Sequence, residues 1–151
     1  MAYRLRGIPD EEKFRKILTD RGFKVTPQRL AVHRAMCTLV HAGADEVFEH
    51  ISKEGETGIS SMSVYNILDQ LADSGIYARR LGQLGRMTFD VDPRPHVHLY
   101  DKVSGEYKNI DDVEVFNLVE KQLKGRRWKG HKLESIDIQI NCRPSKTKKK
   151  G

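Results

Sequence analysis

Residues 59–91 read ISSMSVYNILDQLADSGIYARRLGQLGRMTFDV, and the hydrophobic period changes once within them. Val64, Leu68 and Leu71 recur at helical spacing from a start at Ser60 or Ser61, and Gly75 stops the run. IYARRL and RMTFDV then flank Gly82-Gln83-Leu84-Gly85, the pattern of a β-hairpin with a glycine-bounded loop. A helix running straight into a two-stranded wing reads as a winged helix-turn-helix, provided that other helices precede it.

Helical punctuation is dense upstream. Asp10-Glu11-Glu12 opens a segment with Phe14, Ile17 and Leu18 on one face, and Gly22 closes it. Thr26-Pro27 is a cap followed by proline at the first helical position, leading into QRLAVHRAMCTLV. A third helix, about Ala44 to Lys53, turns Val47, Phe48 and Ile51 inward before Gly55. Downstream, DPRPH holds two prolines in three residues and reads as a hinge. Beyond it HVHLY and EYKNI are short strands around the turn DKVSG. Asp111 caps a helix, DVEVFNLVEKQLK, with Val115, Leu118, Val119 and Leu123 inward, and ESIDIQIN alternates Ile136, Ile138 and Ile140 as a half-buried strand. The expected protein is α+β: a winged-helix domain over residues 1–91, a hinge at 92–95, a small α/β domain over 96–142 and a basic tail at 143–151. A strand-rich unit of about 50 residues buries little by itself, so pairing with a second copy is expected and the small domain is read as the dimerisation domain.

Composition narrows the function. Of 151 residues 38% are hydrophobic and 32% charged, and no stretch approaches the roughly 20 apolar residues of a membrane span. MAYRLRGIPDEEKF has no apolar signal region, so the cytoplasm is expected and no membrane partner. The net charge of +6 invites a nucleic-acid reading, yet residues 1–90 carry 13 basic and 12 acidic groups, residues 91–142 carry 9 and 9, and the tail RPSKTKKKG carries 5 and 0. A lysine-rich tail is ordinarily a solvated end. Cys37 and Cys142 stand far apart outside any Cys-x-x-Cys pair, which excludes a disulfide framework and a four-thiolate zinc site within one chain. Cys37, among Met36, Leu39 and Val40, reads as a buried small hydrophobe.

Two constellations carry chemistry. In His96-Val97-His98, residues two apart on a strand face the same way, so both imidazoles can converge on one ion. Asp90 lies six residues upstream across the hinge, and His41 sits in the turn VHAGADEV, where a solvated loop histidine or a cap is the alternative. Three imidazoles and a carboxylate suit Fe(II), Mn(II), Ni(II) or Zn(II). His33 and His50 fall within helical runs and His131 in the loop GRRWKGHK, so all three read as structural or surface groups. The second constellation is the helix start, which presents Ser61, Ser63, Tyr65 and Asn66 while Val64, Ile67 and Leu68 pack inward. Such groups suit phosphate and base-edge contacts, although an ordinary polar helix start looks the same. Arg79, Arg80 and Arg86 in the wing strengthen the reading, because arginines there reach the backbone or minor groove of double-stranded DNA. No separate base or oxyanion motif accompanies the histidines, so an enzyme is not expected.

Taken together, GFKVTPQR, His41 followed by ADEVF, ISSMSVYNILDQLADSGI, FDVDPRPHVH and SGEYKNIDD resemble, in order and spacing over roughly residues 15–145, the ferric uptake regulator superfamily of metal-dependent repressors. That resemblance implies a winged-helix domain hinged to a dimerisation domain. Aspartate at position 90, where iron sensors usually carry glutamate, is most similar to the peroxide-sensing PerR branch. It implies that His41, Asp90, His96 and His98 hold a regulatory Fe(II) or Mn(II), with Asn109 at the fifth-ligand position. It also implies that hydrogen peroxide oxidises His41 or His96 through bound Fe(II), releasing a homodimer from operator DNA. Three departures qualify it. The positions of the Cys-x-x-Cys pairs hold Asp101, Ser104, Cys142 and Ser145, so no structural zinc is expected; Asn109 replaces an acidic ligand, leaving Asp111 or Asp112 as substitutes; and Ser63 replaces a threonine. The alternatives are a regulator responsive to iron, manganese or zinc itself, and a metal-independent DNA-binding remnant. If the tail adds only non-specific attraction, deleting residues 143–151 weakens salt-sensitive binding to arbitrary duplex more than operator selectivity, as binding across a salt series will register.

Overall fold

The computed structural model describes residues 8–55, 58–81, 85–94, 96–110, 112–133 and 136–145. The chain divides into two compact units, one ending at Pro93 and the other beginning at Arg94. The wing-loop positions 82–84, Asp111 and the tail beyond residue 145 lie outside the described residues.

In the first unit, α1 (Glu11–Asp20) is capped by Asp10, whose carboxylate accepts from the Lys13 amide at 2.8 Å, with Glu11 and Glu12 favourably placed in the first turn. Helix α2 (Pro27–Leu39) starts on Thr26, which accepts from the Arg29 amide at 3.1 Å. A two-residue strand, β1 (His41–Ala42), precedes α3 (Ala44–Lys53). Helix α4 (Ser61–Asp73) begins on Ser60 and buries Val64, Ile67, Leu68 and Leu71, each side chain contributing about 1.5–3 kcal/mol as an upper figure. The wing strands β2 (Ala78–Leu81) and β3 (Met87–Asp90) complete an antiparallel sheet in the order β1-β3-β2. Strand β1 is an addition to the expected hairpin, since a two-residue strand shows no periodicity that a sequence pattern could register.

Phe14, Leu18, Val32, Met36, Val47, Ile51, Val64, Leu71 and Phe89 form the centre of one core. His33 is wholly within it, 1% exposed, stacked on Phe14 with centroids 3.8 Å apart. Its Nε2 faces the Pro9 carbonyl at 2.7 Å, which can only accept, so Nε2 carries the proton and Nδ1 accepts from the Tyr77 hydroxyl at 2.7 Å. Burial pushes the His33 pKa down and the Tyr77 pKa up. Cys37, half-buried beside His33 at 3.3 Å, has its thiol raised to about 11 by burial and stays unreactive.

The second unit has strands β4 (Val97–Asp101) and β5 (Tyr107–Ile110), helix α5 (Val113–Leu123) and strand β6 (Ile138–Cys142). The sheet order is β5-β4-β6, with β4 antiparallel to β5 and parallel to β6. Parallel strands cannot be joined by a tight turn, and α5 supplies the crossover. Three expectations are corrected. The residue that caps α5 is Asp112, accepting from the Val115 amide at 3.0 Å. Val115 and Leu118 are exposed, at 36% and 60%, while Phe116, Val119 and Leu123 are partly buried. The last strand begins at Ile138, so Ile136 lies before it, and Ile140 is exposed. Periodicity locates an apolar stripe but not how much of it one chain covers.

Asp101 and Cys142, two of the four positions where the resemblance places zinc thiolates, are partners in the β4–β6 register. The Asp101 carboxylate accepts from the amides of Val103 at 2.8 Å and Ser104 at 3.2 Å, closing the turn after β4, and these bonds hold its carboxyl below the usual range.

The His33–Tyr77 bond yields a prediction. Tyr77→Phe leaves a buried imidazole nitrogen unsatisfied and lowers the unfolding free energy by about 1–3 kcal/mol. Because the folded His33 resists protonation, the unfolded chain binds the proton first. Its contribution is therefore present above the ordinary histidine pKa, about 6.5, and is lost as pH falls below it. Thermal unfolding between pH 5 and 8 will show that extra slope in the parent and lose it in His33→Gln.

Candidate functional site

The first unit brings His41 and Asp90 together. Strand β1 pairs with β3 so that His41 stands opposite Asp90 and Ala42 opposite Phe89. The His41 Nε2 lies 3.0 Å from Asp90 Oδ2, with both side chains largely buried. Asp90 is 5% exposed, and its Oδ1 accepts from the Asp92 amide at 2.8 Å, which fixes the carboxylate and leaves Oδ2 toward the imidazole. Tight local packing sets β1. Gly43 approaches β3 so closely that a Cβ on it would meet the Met87 carbonyl at 3.2 Å. Glu46 binds the Gly43 amide at 3.0 Å and Arg86 at 2.9 Å, tying the start of α3 to the start of β3.

The second unit brings together His96, His98 and Asn109. His96 and His98 are 7% and 5% exposed, with ring centroids 4.2 Å apart. His98 stands opposite Asn109 in the β4–β5 register, which puts both side chains on one face of the sheet. The Nδ1 of His96 meets the Arg94 carbonyl, which can only accept, so Nδ1 carries the proton and Nε2 is the nitrogen with the lone pair. The Oδ1 of Asn109 is buried without a hydrogen-bond partner. An unsatisfied amide oxygen costs free energy in the folded chain, and a cation beside two imidazoles is a partner that would satisfy it. The donors in each unit suit a divalent first-row metal: an imidazole with a carboxylate in the first, and imidazoles with an amide oxygen in the second.

Of the residues expected to meet DNA, Tyr65 is 43% exposed and leans edge-on against Phe89, and Ser61 and Asn66 are exposed beside it on α4. Ser63 is half-buried and its hydroxyl bonds to Ser60 at 3.0 Å, so it belongs to the cap. Arg79 clamps β2 to α4 through Asp69 at 2.7 Å and Asp73 at 2.8 Å, an interaction that raises its pKa. Arg86 pairs with Glu46, and Arg80 is half-buried on β2. The wing charges are thus largely committed within the chain.

Three neighbours escaped sequence reasoning. Asp92 orients Asp90 through its backbone amide, Asp137 lies 3.9 Å from His98 Nδ1, and Met62 is 65% exposed on α4 beside Ser61. Asp92 had no residue-type signal, because it acts through its backbone amide. Asp137 had none, because its proximity depends on the β4–β6 pairing.

The ferric uptake regulator family model matches residues 20–140. The chain is 29% identical over 139 residues to the ferric uptake regulation protein of Neisseria meningitidis serogroup A, covering 87% of this chain and 95% of that one. It is 29% identical over 121 residues to the peroxide-responsive repressor PerR of Staphylococcus epidermidis, covering 76% and 80%. A solved ferric uptake regulator from Pseudomonas aeruginosa with manganese has the same fold, with a TM-score of 0.69 at 22% identity, over 87% of this chain and 97% of that one.

The unsatisfied amide gives a direct test. In chelator, Asn109→Ala leaves the thermal midpoint within about 2 °C of the parent, because no hydrogen bond of Oδ1 is lost. With Mn(II) present the variant loses part of the metal-induced rise in midpoint seen in the parent. A calorimetric pair of scans compares them.

Proposed function

This chain belongs to the ferric uptake regulator family of metal-responsive, DNA-binding transcriptional regulators, and we propose that it is a cytoplasmic repressor whose metal is Fe(II) or Mn(II) and whose signal is hydrogen peroxide. In this reading His41, Asp90, His96 and His98 ligate one ion, with Asn109 as the fifth ligand. The observation that carries it is the burial of two groups of polar donors: His41 with Asp90, and His96 and His98 beside the unsatisfied Asn109 oxygen. Burying a carboxylate and imidazoles costs several kcal/mol unless charge compensates, and a divalent cation compensates it.

The chain's own residues prepare the ligands. Asp92 pins one oxygen of Asp90, and the Arg94 carbonyl selects the His96 tautomer that presents Nε2. Asp90 and His96 are six residues apart with Pro93 between them, so ligation through both restricts the hinge. In a homodimer that restriction sets the separation of two winged domains, hence the match to two half-sites. Val115, Leu118 and Ile140 offer the exposed apolar surface that a second copy would cover. Fe(II) held by these residues would supply the redox chemistry that cleaves hydrogen peroxide; overall one peroxide oxygen would end on an imidazole carbon of His41 or His96, the ring being oxidised by two electrons, and the other oxygen would leave as water. An altered imidazole no longer ligates, and the restraint is lost. Asp90 and the likeness to the staphylococcal repressor support this signal.

A second reading, in which availability of iron, manganese or zinc is the signal, is favoured by Asn109, because the neutral amide alters the charge around the ion and its reactivity. One experiment separates the two. Protein loaded with Fe(II) without oxygen and then exposed to peroxide gains one oxygen on His41 or His96 by mass spectrometry, and the Mn(II)-loaded protein does not. Absence of the product with iron demonstrably bound leaves metal availability as the signal. DNA affinity that does not change with chelator overturns both and leaves a metal-independent binder. His41→Ala or Asp90→Ala weakens Mn(II) binding by at least about tenfold to a hundredfold, the scale found when even outer-shell partners are lost, measured by titration calorimetry.

A further inference from the structure

We propose that Val40 is a positioning residue for the metal site, its backbone turn aiming His41 at Asp90; this rests on the reading of His41 as a ligand. Among the described residues Val40 is the non-glycine residue with positive φ, at φ 66° and ψ −55°. A β-branched side chain is an outlier there, and this region of backbone space is strained. Three restraints hold it. Its amide donates to the Met36 carbonyl at 2.7 Å, closing α2, and its carbonyl accepts from the Val91 amide at 3.1 Å. Its side chain is 4% exposed within the core.

The consequence is directional. The turn at Val40 converts the end of α2 into β1 within one residue, so the next residue, His41, enters the sheet opposite Asp90. The Val91-to-Val40 bond flanks that pair, tying the backbones of both ligands together on one side. Helices commonly end on glycine at positive φ, where no Cβ is strained. A valine at such a position persists because its surroundings over-determine it, and strain of this kind gathers at functional sites. The isopropyl group anchors the turn while its Cβ opposes it.

A substitution series separates aiming from filling. Alanine keeps the Cβ and loses the anchor, so the turn relaxes; glycine loses both and adopts the turn freely. We expect Val40→Ala to weaken Mn(II) binding about tenfold while Val40→Gly stays within about threefold of the parent. In chelator, Val40→Gly melts no lower than Val40→Ala, reversing the usual order of these residues. A monotonic fall from valine through alanine to glycine, in both affinity and melting, overturns the proposal in favour of core filling. Equal affinities in all three, with His41→Ala deficient, overturn it as well. If His41→Ala binds Mn(II) like the parent, the ligand reading fails and the proposal with it. The melting order in chelator does not depend on metal, so it still reports the strain and tells the two failures apart.

Discussion

One rung between β1 and β3 sets His41 opposite Asp90, and much of the first unit is arranged around it. Strand β1 is too short to hold itself, since two residues cannot repay the entropy of ordering through pairing alone. It is held from outside. The helix before it ends in a strained turn, the glycine after it lets α3 approach the Met87 carbonyl, and Glu46 ties that helix start to Arg86. Each contact is small, and together they leave the imidazole 3.0 Å from the carboxylate in a buried setting.

A register does the same work in the second unit. Alternation along β4 sends His98 and Tyr100 to one face and Val97 and Leu99 to the other, and His96 stands one residue before the strand. Antiparallel pairing then sets Asn109 against His98, and parallel pairing to β6 brings Asp137 close. A slip of one residue would exchange every donor for an apolar side chain. The turn after β4, closed by Asp101, and the crossover through α5 maintain that register.

Electrostatics in the winged unit is mostly internal. The arginines that look available in sequence are spent on cohesion: Arg79 holds the wing to α4 and Arg86 holds it to α3. What the first turns of α4 leave facing outward is uncharged, namely Ser61, Met62, Tyr65 and Asn66. Selectivity for DNA would then come from side-chain fit and from the spacing of paired winged domains more than from bulk charge.

The order of the helices and longer strands, the caps of α1 and α2 and the wing were legible in the sequence, because helix punctuation and the change of period are local properties that neighbouring residues determine. The proposal of His41, Asp90, His96, His98 and Asn109 as donors also starts from the sequence, through spacing and resemblance. Which donors share a strand pair was not, because β1 has no pattern to read and Asp137 approaches His98 only through a parallel pairing. The division of apolar residues between core and open surface on α5, and the commitment of Arg79 and Arg86 to ion pairs, were also settled in three dimensions. Periodicity is written along the chain, whereas burial, partnership and strain depend on residues far apart in sequence, and those the tertiary structure alone decides.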